Sequence, residues 1–219
     1  MFRILYAPWR TASAHRPIGR HKVGTRSDAA GYHEQVRVVG LVLRARHLFL
    51  QQRGDDSLER VLAKVQPEVR ALLEEGILET RWYPGEYFYD LIETADEVLG
   101  EGDLALVEEM GAFSAQINLT GPLRTTLFKF GNPKWGLRFA SRGWSAQFDQ
   151  GEMVTVQASS NSAELCLRGV PGGIRPSVIA GVKGWLLKAV ELFGAEVQNW
   201  ELKLDHPNPD EVTFSCDWF

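Results

Sequence analysis

The last strand-like run of the chain has the most regular hydrophobic pattern in the sequence. Apolar residues occupy every second position, at Val212, Phe214, Cys216 and Trp218, and each residue between them is polar. Because alternate residues of a strand point to opposite faces of a sheet, this pattern predicts one buried, aromatic-rich face and one polar face. The segment from Trp144 to Phe219 is therefore expected to fold around a sheet that is covered on one side.

A second alternating run lies just upstream. Trp200, Leu202 and Leu204 are separated from one another by polar residues. The connection between the two runs, residues 205–210, contains two prolines together with Asp and Asn, which are residue types that favour tight turns. The two runs are predicted to pair as antiparallel strands.

A long amphipathic helix is predicted between Pro176 and Gly194. Proline is favoured in the first turn of a helix and glycine just after its end, and the apolar residues between them recur at spacings of three and four. Gly181 and Gly184 interrupt this helix, at a cost of about 1 kcal/mol each relative to alanine. They predict a close approach by a neighbour, either through tight packing on the sheet or through a ligand.

Two further strands are predicted before this helix. Their apolar faces consist of alternating residues, which are Val154, Val156 and Ala158 in the first strand and Ala163, Leu165 and Leu167 in the second. Residues 159–162 supply a hairpin loop, and Trp144, Ala146 and Phe148 are predicted to extend the first strand backwards. The predicted fold class is α+β, with N-terminal helices packed on a four-stranded antiparallel sheet. The C-terminal half of the chain, which forms this sheet, is predicted to have the element order ββαββ.

The region before the sheet is predicted to be mainly helical. Helices are expected over 36–52, from 55 to about 75 with a break at Pro67, over 84–99, from 104 to a break near 121–122, and from 133 to about 140. Trp82 and Tyr83 are expected to fold back onto the first turn of the helix that follows them, as a hydrophobic staple. Residues 36–219 are predicted to form a single domain.

The composition is that of a globular domain, with 44% hydrophobic and 24% charged residues among 219. Residues 1–26 carry six basic and no acidic side chains, so the net charge of −4 leaves −10 on the rest. Residues 1–35 are predicted to be a basic, disordered arm. No base-reading motif follows the arm, which argues against nucleic-acid binding. Neither a signal-peptide pattern nor a run of about 18 apolar residues occurs, so a cytoplasmic protein is predicted.

Two clusters around the helix after Pro84 are candidate sites. Five aromatic residues lie between Trp82 and Tyr89, and they are predicted to be core residues or, as an alternative, to line a pocket. Four acidic residues are spaced four, three and four positions apart and so share one helix face: Glu86, Asp90, Glu93 and Glu97. A solvated face is the simplest interpretation of this acidic stripe, and docking of a basic protein partner is the alternative.

No motif for catalysis or for metal binding is complete. The sequence lacks a nucleophile elbow, a Walker A loop and the paired histidines or cysteines of zinc sites. Only His47 lies in a strongly apolar helix, where it is a core residue or, as an alternative, an axial haem ligand. Cys166 and Cys216 are predicted to be small core residues, with a disulfide or a metal site as alternatives. The sequence therefore predicts no enzyme, no metal and no cofactor.

With Trp82-Tyr83-Pro84 before one helix and Gly111 inside the next, the chain resembles a myxobacterial paralogous family of unknown function. The layout of residues 120–219 also resembles a broader group, which comprises vinyl-reductase-type ligand-binding domains, TRAPP-type subunits and haem-dependent nitric-oxide sensors. This resemblance implies helices on one side of a four-stranded antiparallel sheet, and small-molecule sensing or subunit docking rather than catalysis. The Tyr-x-Ser-x-Arg motif with which the nitric-oxide sensors hold haem is absent, which argues against haem.

Three functional hypotheses follow. The first is a regulatory module in signalling that binds a small apolar ligand or a protein partner, with a cavity whose candidate wall residues are all aromatic: Trp82, Tyr83, Tyr87, Trp185, Trp200, Phe214 and Trp218. The second is a homodimeric scaffold that is joined through a helical face and binds no ligand. The third is a haem-based gas sensor.

Overall fold

The computed structural model describes residues 36–119, 133–137, 140–204 and 210–219. The arm predicted for residues 1–35, the break near 121–122 and most of the turn after Leu204 lie outside these residues. In chain order the elements are β1 (Arg37–Val39), α1 (Gly40–Gln52), α2 (Asp55–Leu62), α3 (Pro67–Glu75), β2 (Trp82–Pro84), α4 (Gly85–Leu99), α5 (Ala105–Leu119), α6 (Pro133–Leu137), α7 (Ala140–Ser145), β3 (Glu152–Ala158), β4 (Ser162–Arg168), α8 (Pro176–Leu192), β5 (Val197–Leu204) and β6 (Glu211–Trp218). Within the described ranges, no helix is long and apolar enough to cross a membrane.

The last four strands form an antiparallel sheet in the order β3-β4-β6-β5, and α8 connects β4 to β5. The α+β class and the ββαββ order are therefore confirmed. The register places Phe214 between Leu165 and Leu202, so the apolar faces of β4, β6 and β5 coincide. Leu165, Leu167, Val212 and Phe214 are each at most 2% exposed, and they form the core side of the sheet.

The apolar face predicted for β3 is wrong. Met153 lies opposite Leu167 and is buried, whereas Val156 is 58% exposed. The cause is a β-bulge between Thr155 and Gln157, which adds one residue to this strand and reverses the faces of the strand beyond it. The alternating triplet that the sequence presents therefore does not share one face.

The predicted extension of β3 back to Trp144 is also wrong. Trp144 belongs to α7, and Phe148 lies in the turn that follows. The N–H of Phe148 donates to the carbonyl oxygen of Trp144 at 2.8 Å, and the indole Nε1 of Trp144 donates to the carbonyl oxygen of Gln150 at 3.0 Å. Because this helical turn satisfies its polar groups locally, the two aromatic residues at spacing four lie on the same side and stack.

Two short strands replace the ends of predicted helices. β1 occupies residues predicted to start the first helix, and β2 contains Trp82 and Tyr83. The packing of these two residues on the first turn of α4 stays a prediction. The two strands pair antiparallel, with Val38 opposite Tyr83. The first N–H groups of α1 donate to the carbonyl oxygens of Arg81 and Glu79, at 2.8 and 2.9 Å, so the loop before β2 caps this helix.

The helix predicted from residue 55 to about 75 is interrupted, as the proline indicated. α2 ends at Leu62, and Pro67 is the first residue of α3. The N–H of Gln66, just before α3, donates to the Asp90 carboxylate at 2.8 Å. A side chain of α4 therefore satisfies one backbone donor at the start of α3.

The backbones of α5 and α8 pack directly against each other. A Cβ atom on Gly184 would overlap the carbonyl oxygen of Glu108, and one on Gly111 would overlap that of Gly181. The Lys183 ammonium also lies 2.7 Å from the Glu108 carboxylate. The predicted close approach is therefore confirmed at Gly184, and at Gly181 it involves the carbonyl oxygen, which faces Gly111, while a Cβ on Gly181 itself would have room. The neighbour is a helix and not the sheet.

Neither cysteine forms a disulfide, and both lie buried in the sheet. Cys166 is opposite Thr213 and Cys216 is opposite Ala163, so the two side chains point to opposite faces. The disulfide alternative is therefore wrong. No cluster of three or more His, Cys, Asp or Glu that could hold a metal ion occurs in the described part of the chain.

Candidate ligand-binding cavity

A cavity of about 370 Å³ lies beside α8, between that helix, α1, α4 and the chain around α7. One face of α8 supplies a continuous apolar wall, made by Val178, Val182, Trp185, Leu186 and Ala189. These positions recur at spacings of three and four, which is the spacing that aligns side chains along one side of a helix. The amphipathic stripe of α8 thus faces a hollow over much of its length.

The opposite walls come from short elements that hydrogen bonds hold in place. Leu137 of α6 and Met153 of β3 both line the cavity. The Thr155 hydroxyl donates to the carbonyl oxygen of Leu137 at 3.1 Å, and this bond ties α6 to β3. A helix of five residues does not hold its own shape in isolation, so this anchor fixes the wall.

A row of three aromatic rings forms a further wall. Phe88 of α4 meets Phe148 edge to face at 5.8 Å between ring centres, and Phe148 stacks on Trp144 at 4.3 Å. All three side chains line the cavity. Such contacts add about 0.5–1.5 kcal/mol per pair beyond the area that they bury, so the row is a stiff surface.

The turn that carries Phe148 is fixed by β1. The backbone N–H and the Nε of Arg37 donate to the two carboxylate oxygens of Asp149, both at 2.6 Å. The N–H of Val39 donates to the carbonyl oxygen of Gln147 at 2.9 Å, and Val38 forms a bridge with Phe148. Because β1 also pairs with β2, the Trp-Tyr-Pro strand supports this wall indirectly.

Arg46 brings a positive charge into the cavity wall. It lies on α1, lines the cavity and is only 6% exposed. Its Nη1 donates to the Ser114 hydroxyl at 2.5 Å, its guanidinium carbon lies 5.2 Å from the centre of the Phe88 ring, and its Nε has no hydrogen-bond partner among the described residues. Burial lowers the pKa of Arg46 to about 10, because little around the guanidinium replaces the water that it has lost.

The charges on the walls have one sign. Arg46 and Arg142 are the charged residues among the described lining residues, which include no Asp or Glu. Trp185 supplies a second buried donor, because its Nε1 has no hydrogen-bond partner in the described ranges. The cavity is therefore an apolar space with positive charge on its walls, and two of its lining residues, Arg46 and Trp185, each have a buried N–H donor without a partner among the described residues.

Of the seven aromatic residues predicted to line a ligand site, Trp185 is the one that lines this cavity. The three predicted on the sheet lie elsewhere in the core. Phe214 and Trp218 are 1% and 3% exposed, and Trp200 is half-buried with its ring centre 5.9 Å from that of Phe214.

The three aromatic residues predicted around β2 also lie away from the cavity. Tyr83 is buried, and its hydroxyl accepts the N–H of Leu78 at 3.1 Å. Tyr87 is half-buried against the core, and Trp82 is 37% exposed. These residues shape the loop that caps α1, and through β1 they support the cavity wall.

The acidic stripe on α4 makes contacts within the chain. Arg175, just before α8, reaches both carboxylate oxygens of Glu86 at 3.0 Å and one of Glu93 at 3.3 Å. Asp90 accepts the N–H that precedes α3, and Glu97 is exposed. Docking of a basic partner on this stripe stays a prediction, and such a partner would compete with Arg175.

The wall residues missed by sequence reasoning include Arg46, Trp144 and Phe148, whereas Phe88 belongs to the aromatic run for which lining a pocket was the alternative. One signal was present for Arg46, which falls within the buried stripe of α1, at the spacing of three and four, and has no acidic residue three or four positions away. A cation at a buried helix position, without an acidic neighbour on its own helix, indicates that its partner comes from another element or from a ligand. Trp144 and Phe148 were missed because their alternation was interpreted as a strand.

The arrangement defines an α+β fold with a one-sided antiparallel sheet and a partly open cavity beside its long helix. Its fold is similar to that of solved H-NOX proteins. The Fe(II) unliganded H-NOX protein from K. algicida is 11% identical, with a TM-score of 0.64 over 83% of this chain and 96% of its own. The S. oneidensis H-NOX protein in the Fe(II)NO ligation state is 12% identical, with a TM-score of 0.61 over 83% and 99%.

An oxygen-binding H-NOX domain related to soluble guanylate cyclases is 9% identical, with a TM-score of 0.60 over 82% of this chain and 94% of its own. No family model matches the sequence, and no curated protein does. The likeness therefore establishes a shared fold, and it confirms the layout of one of the three groups that the sequence resembled, the haem-dependent nitric-oxide sensors.

A haem, which this fold family implies, does not fit the described walls. Protein-bound haem iron takes an axial His, Cys, Tyr or Met ligand, and methionine shares the iron with histidine. None of the described lining residues is His, Cys or Tyr, and Met153 is the sole Met among them. His47, the one histidine in the described ranges, lies on α1 and does not line the cavity. Residues 120–132, next to the walls in sequence, contain none of the four types.

Proposed function

We propose that this chain is a non-catalytic regulatory module of a signalling system that binds a small apolar ligand in the cavity beside α8. The observation that carries the proposal is the cavity itself, whose volume of about 370 Å³ lies within the range of small-molecule sites. Its walls are mainly aliphatic and aromatic, with few polar groups, as in sites that bury an apolar ligand.

The polar groups on the walls support binding rather than catalysis. The described lining residues include no Asp, Glu, His, Cys, Ser or Lys, which are the side chains that commonly act as nucleophile or general base. They do include Asn118, Gln147 and two arginines, which orient or attract a ligand without exchanging protons with it at neutral pH.

The position of the cavity suits regulation. Its walls come from α1, α4, α5, α8, β3 and the α6–α7 region, so a ligand contacts elements that are far apart in the chain. A ligand that fits one arrangement of these walls better than another shifts the population of the two states. The acidic stripe on α4, which contacts the start of α8 through Arg175, is one surface through which a protein partner could register that shift.

The test is ligand binding by a cavity-filling variant. Decanol at 100 times its dissociation constant is expected to stabilise the wild-type protein by about 2.7 kcal/mol, measured as a shift in thermal unfolding. Val182→Trp places an indole in the cavity and is expected to abolish that shift, whereas Val156→Trp, on the exposed part of β3, is expected to preserve it. Equal shifts in the two variants, or no shift in the wild type, would contradict the proposal.

The alternative is a homodimeric scaffold without a ligand. The large apolar side chains that are exposed in the described ranges lie on strands, loops and the C-terminus, and include Leu202 and Leu204 of edge strand β5 at 38% and 50%. The structure thus favours β5 over the predicted helical face as the site of association. Sedimentation of the wild type as a monomer at high concentration would exclude this alternative.

The narrower assignments stay hypotheses. The Trp82-Tyr83-Pro84 motif is the basis of the proposed myxobacterial family, and its structural role is the β2 strand that braces β1. We also propose that residues 36–219 form one domain and that residues 1–35 are a basic arm. A haem-based sensor would show a Soret band after reconstitution, which we do not expect because of the missing axial ligand.

A further inference from the structure

We propose that the ligand of this cavity is an apolar acid, a medium-chain or aromatic carboxylate, and that Arg46 binds its carboxylate. The inference rests on the proposed function and specifies its ligand class. The cavity provides the space for the apolar body, and the buried guanidinium provides the one strongly directional contact.

The first observation is the environment of Arg46. An arginine that is 6% exposed has lost most of its water, and buried arginines are usually paired with an acidic group. In the described part of the chain, Arg46 has the Ser114 hydroxyl and the face of the Phe88 ring as its polar contacts, and neither carries a negative charge. The fold therefore keeps a buried cation that a carboxylate would neutralise.

The second observation is which edge of the guanidinium is unpaired. Nη1 donates to Ser114, whereas Nε is covered from solvent and has no hydrogen-bond partner, and Nη2 has none among the described residues. Nε and Nη2 form one edge of the planar group, and this edge matches the two oxygens of a carboxylate. Ser114 is itself fixed, because its hydroxyl donates to the carbonyl oxygen of Met110 at 2.9 Å. The free edge is therefore held in a defined orientation.

The third observation is the sign of the charge around the cavity. No acidic residue is present among the described lining residues, so an anion meets no repulsion there. Trp185, another lining residue, has a buried Nε1 that also lacks a partner among the described residues. A neutral apolar ligand would leave the guanidinium without a counter-charge, which a carboxylate would supply.

The shape of the cavity restricts the rest of the ligand. The α8 wall and the aromatic row of Phe88, Phe148 and Trp144 enclose a mainly apolar space that offers few partners for a polyhydroxylated or multiply charged molecule. An inorganic anion would pair with Arg46 but would leave the apolar space unfilled. A single carboxylate on an alkyl chain or an aromatic ring satisfies both parts of the site.

The experiment compares two ligands in two forms of the protein that differ in the side chain at position 46. Decanoate and decanol share one alkyl chain and differ in charge, and their affinities are measured by titration calorimetry for the wild type and for Arg46→Met. Arg46→Met is expected to weaken decanoate at least tenfold, because a hydrogen-bonded charge pair is lost, and to change decanol less than threefold. Arg46→Lys is expected to restore part of the decanoate affinity, since it keeps the charge but not the planar fork.

A second readout separates a ligand-binding role from a structural one. In the absence of ligand, Arg46→Met is expected to leave the melting temperature unchanged or to raise it, because it replaces an unpaired buried charge with an apolar chain. A lower melting temperature together with an equal loss of both ligands would show that Arg46 is structural and would overturn the inference. Should Arg46→Met not fold, Arg46→Gln and the wild-type comparison of the two ligands answer the same question.

The outcomes also separate this inference from the proposed function. If neither decanoate nor decanol binds the wild type, the cavity is not a ligand site and both proposals fail. If decanol binds as tightly as decanoate, the cavity binds apolar ligands and only the role of Arg46 as an anion site fails.

Discussion

The two sides of α8 are packed in opposite ways. Toward α5 the backbones touch, and Gly184 and Gly111 leave no room for even a Cβ atom. Toward α1 and α7 the same helix faces a cavity of about 370 Å³, although it presents residues as large as Trp185 and Leu186. Since protein interiors are normally packed to the density of organic crystals, a hollow beside so tight a contact is not a sign of a loose core. The comparison teaches that the space is local, because the same helix is packed to backbone contact on its other side.

The largest effect is expected when the tight side is opened. In Gly184→Ala the new methyl group would overlap the backbone of Glu108, and backbone atoms have no rotamer through which to move away. The helices must separate, so we expect a loss of about 3 kcal/mol in the free energy of unfolding, at the upper end of overpacking effects. This loss is measured by urea unfolding monitored by circular dichroism.

The matched control is Gly143→Ala in α7. A Cβ atom at this position meets nothing within 4 Å, and Gly143 lies on the cavity side. Alanine is the better helix former, so the control should be neutral or stabilising by up to about 1 kcal/mol. If the two substitutions have the same effect, the two sides of α8 are packed alike and the comparison fails.

A leucine pair probes the hollow side with an intermediate effect. Leu91 in α4 is fully buried in the core, whereas Leu186 in α8 is 4% exposed and lines the cavity. Leu91→Ala creates a new void and is expected to cost about 3 kcal/mol, no more than Gly184→Ala, whereas Leu186→Ala enlarges an existing space and is expected to cost about 2 kcal/mol. The measured quantity is the difference between the two free energies of unfolding, and a difference near zero would mean that the cavity collapses in solution.

The two sides of α8 also differ in how far the sequence reveals them. Gly181 and Gly184 interrupt an amphipathic helix at a known cost, and a cost of this kind signals a close neighbour. The hollow leaves no such signal, because its lining residues, such as Val182 and Leu186, have the pattern of ordinary core positions. Among the lining residues on α1, α4 and α8, Arg46 is the one that places a charge at an apolar helix position. Its role cannot be inferred from α1 alone, because its contacts, Phe88 and Ser114, come from α4 and α5.

The sheet shows the same division between local and non-local information. The alternation in β4 and β6 predicted their buried faces, because a period of two follows directly from strand geometry. The bulge after Thr155 and the pairing of β1 with β2 were not predicted, since each depends on a partner distant in the chain. The wall that carries Phe148 depends on that second pairing, which is why most of the site was found only in the structure.

The smallest effect is expected from the ion pair on the tight side. Lys183 and Glu108 approach to 2.7 Å between α8 and α5, but their side chains are 36% and 33% exposed. Water and the entropy of two long side chains offset most of the attraction in such a pair, so Lys183→Met should cost about 0.5 kcal/mol in urea unfolding. A cost this small, beside that of Gly184→Ala, would show that backbone contact holds the two helices together. A loss above about 1.5 kcal/mol would exceed what exposed pairs contribute. It would mean that the ion pair, rather than the backbone contact at the glycines, holds α5 and α8 together.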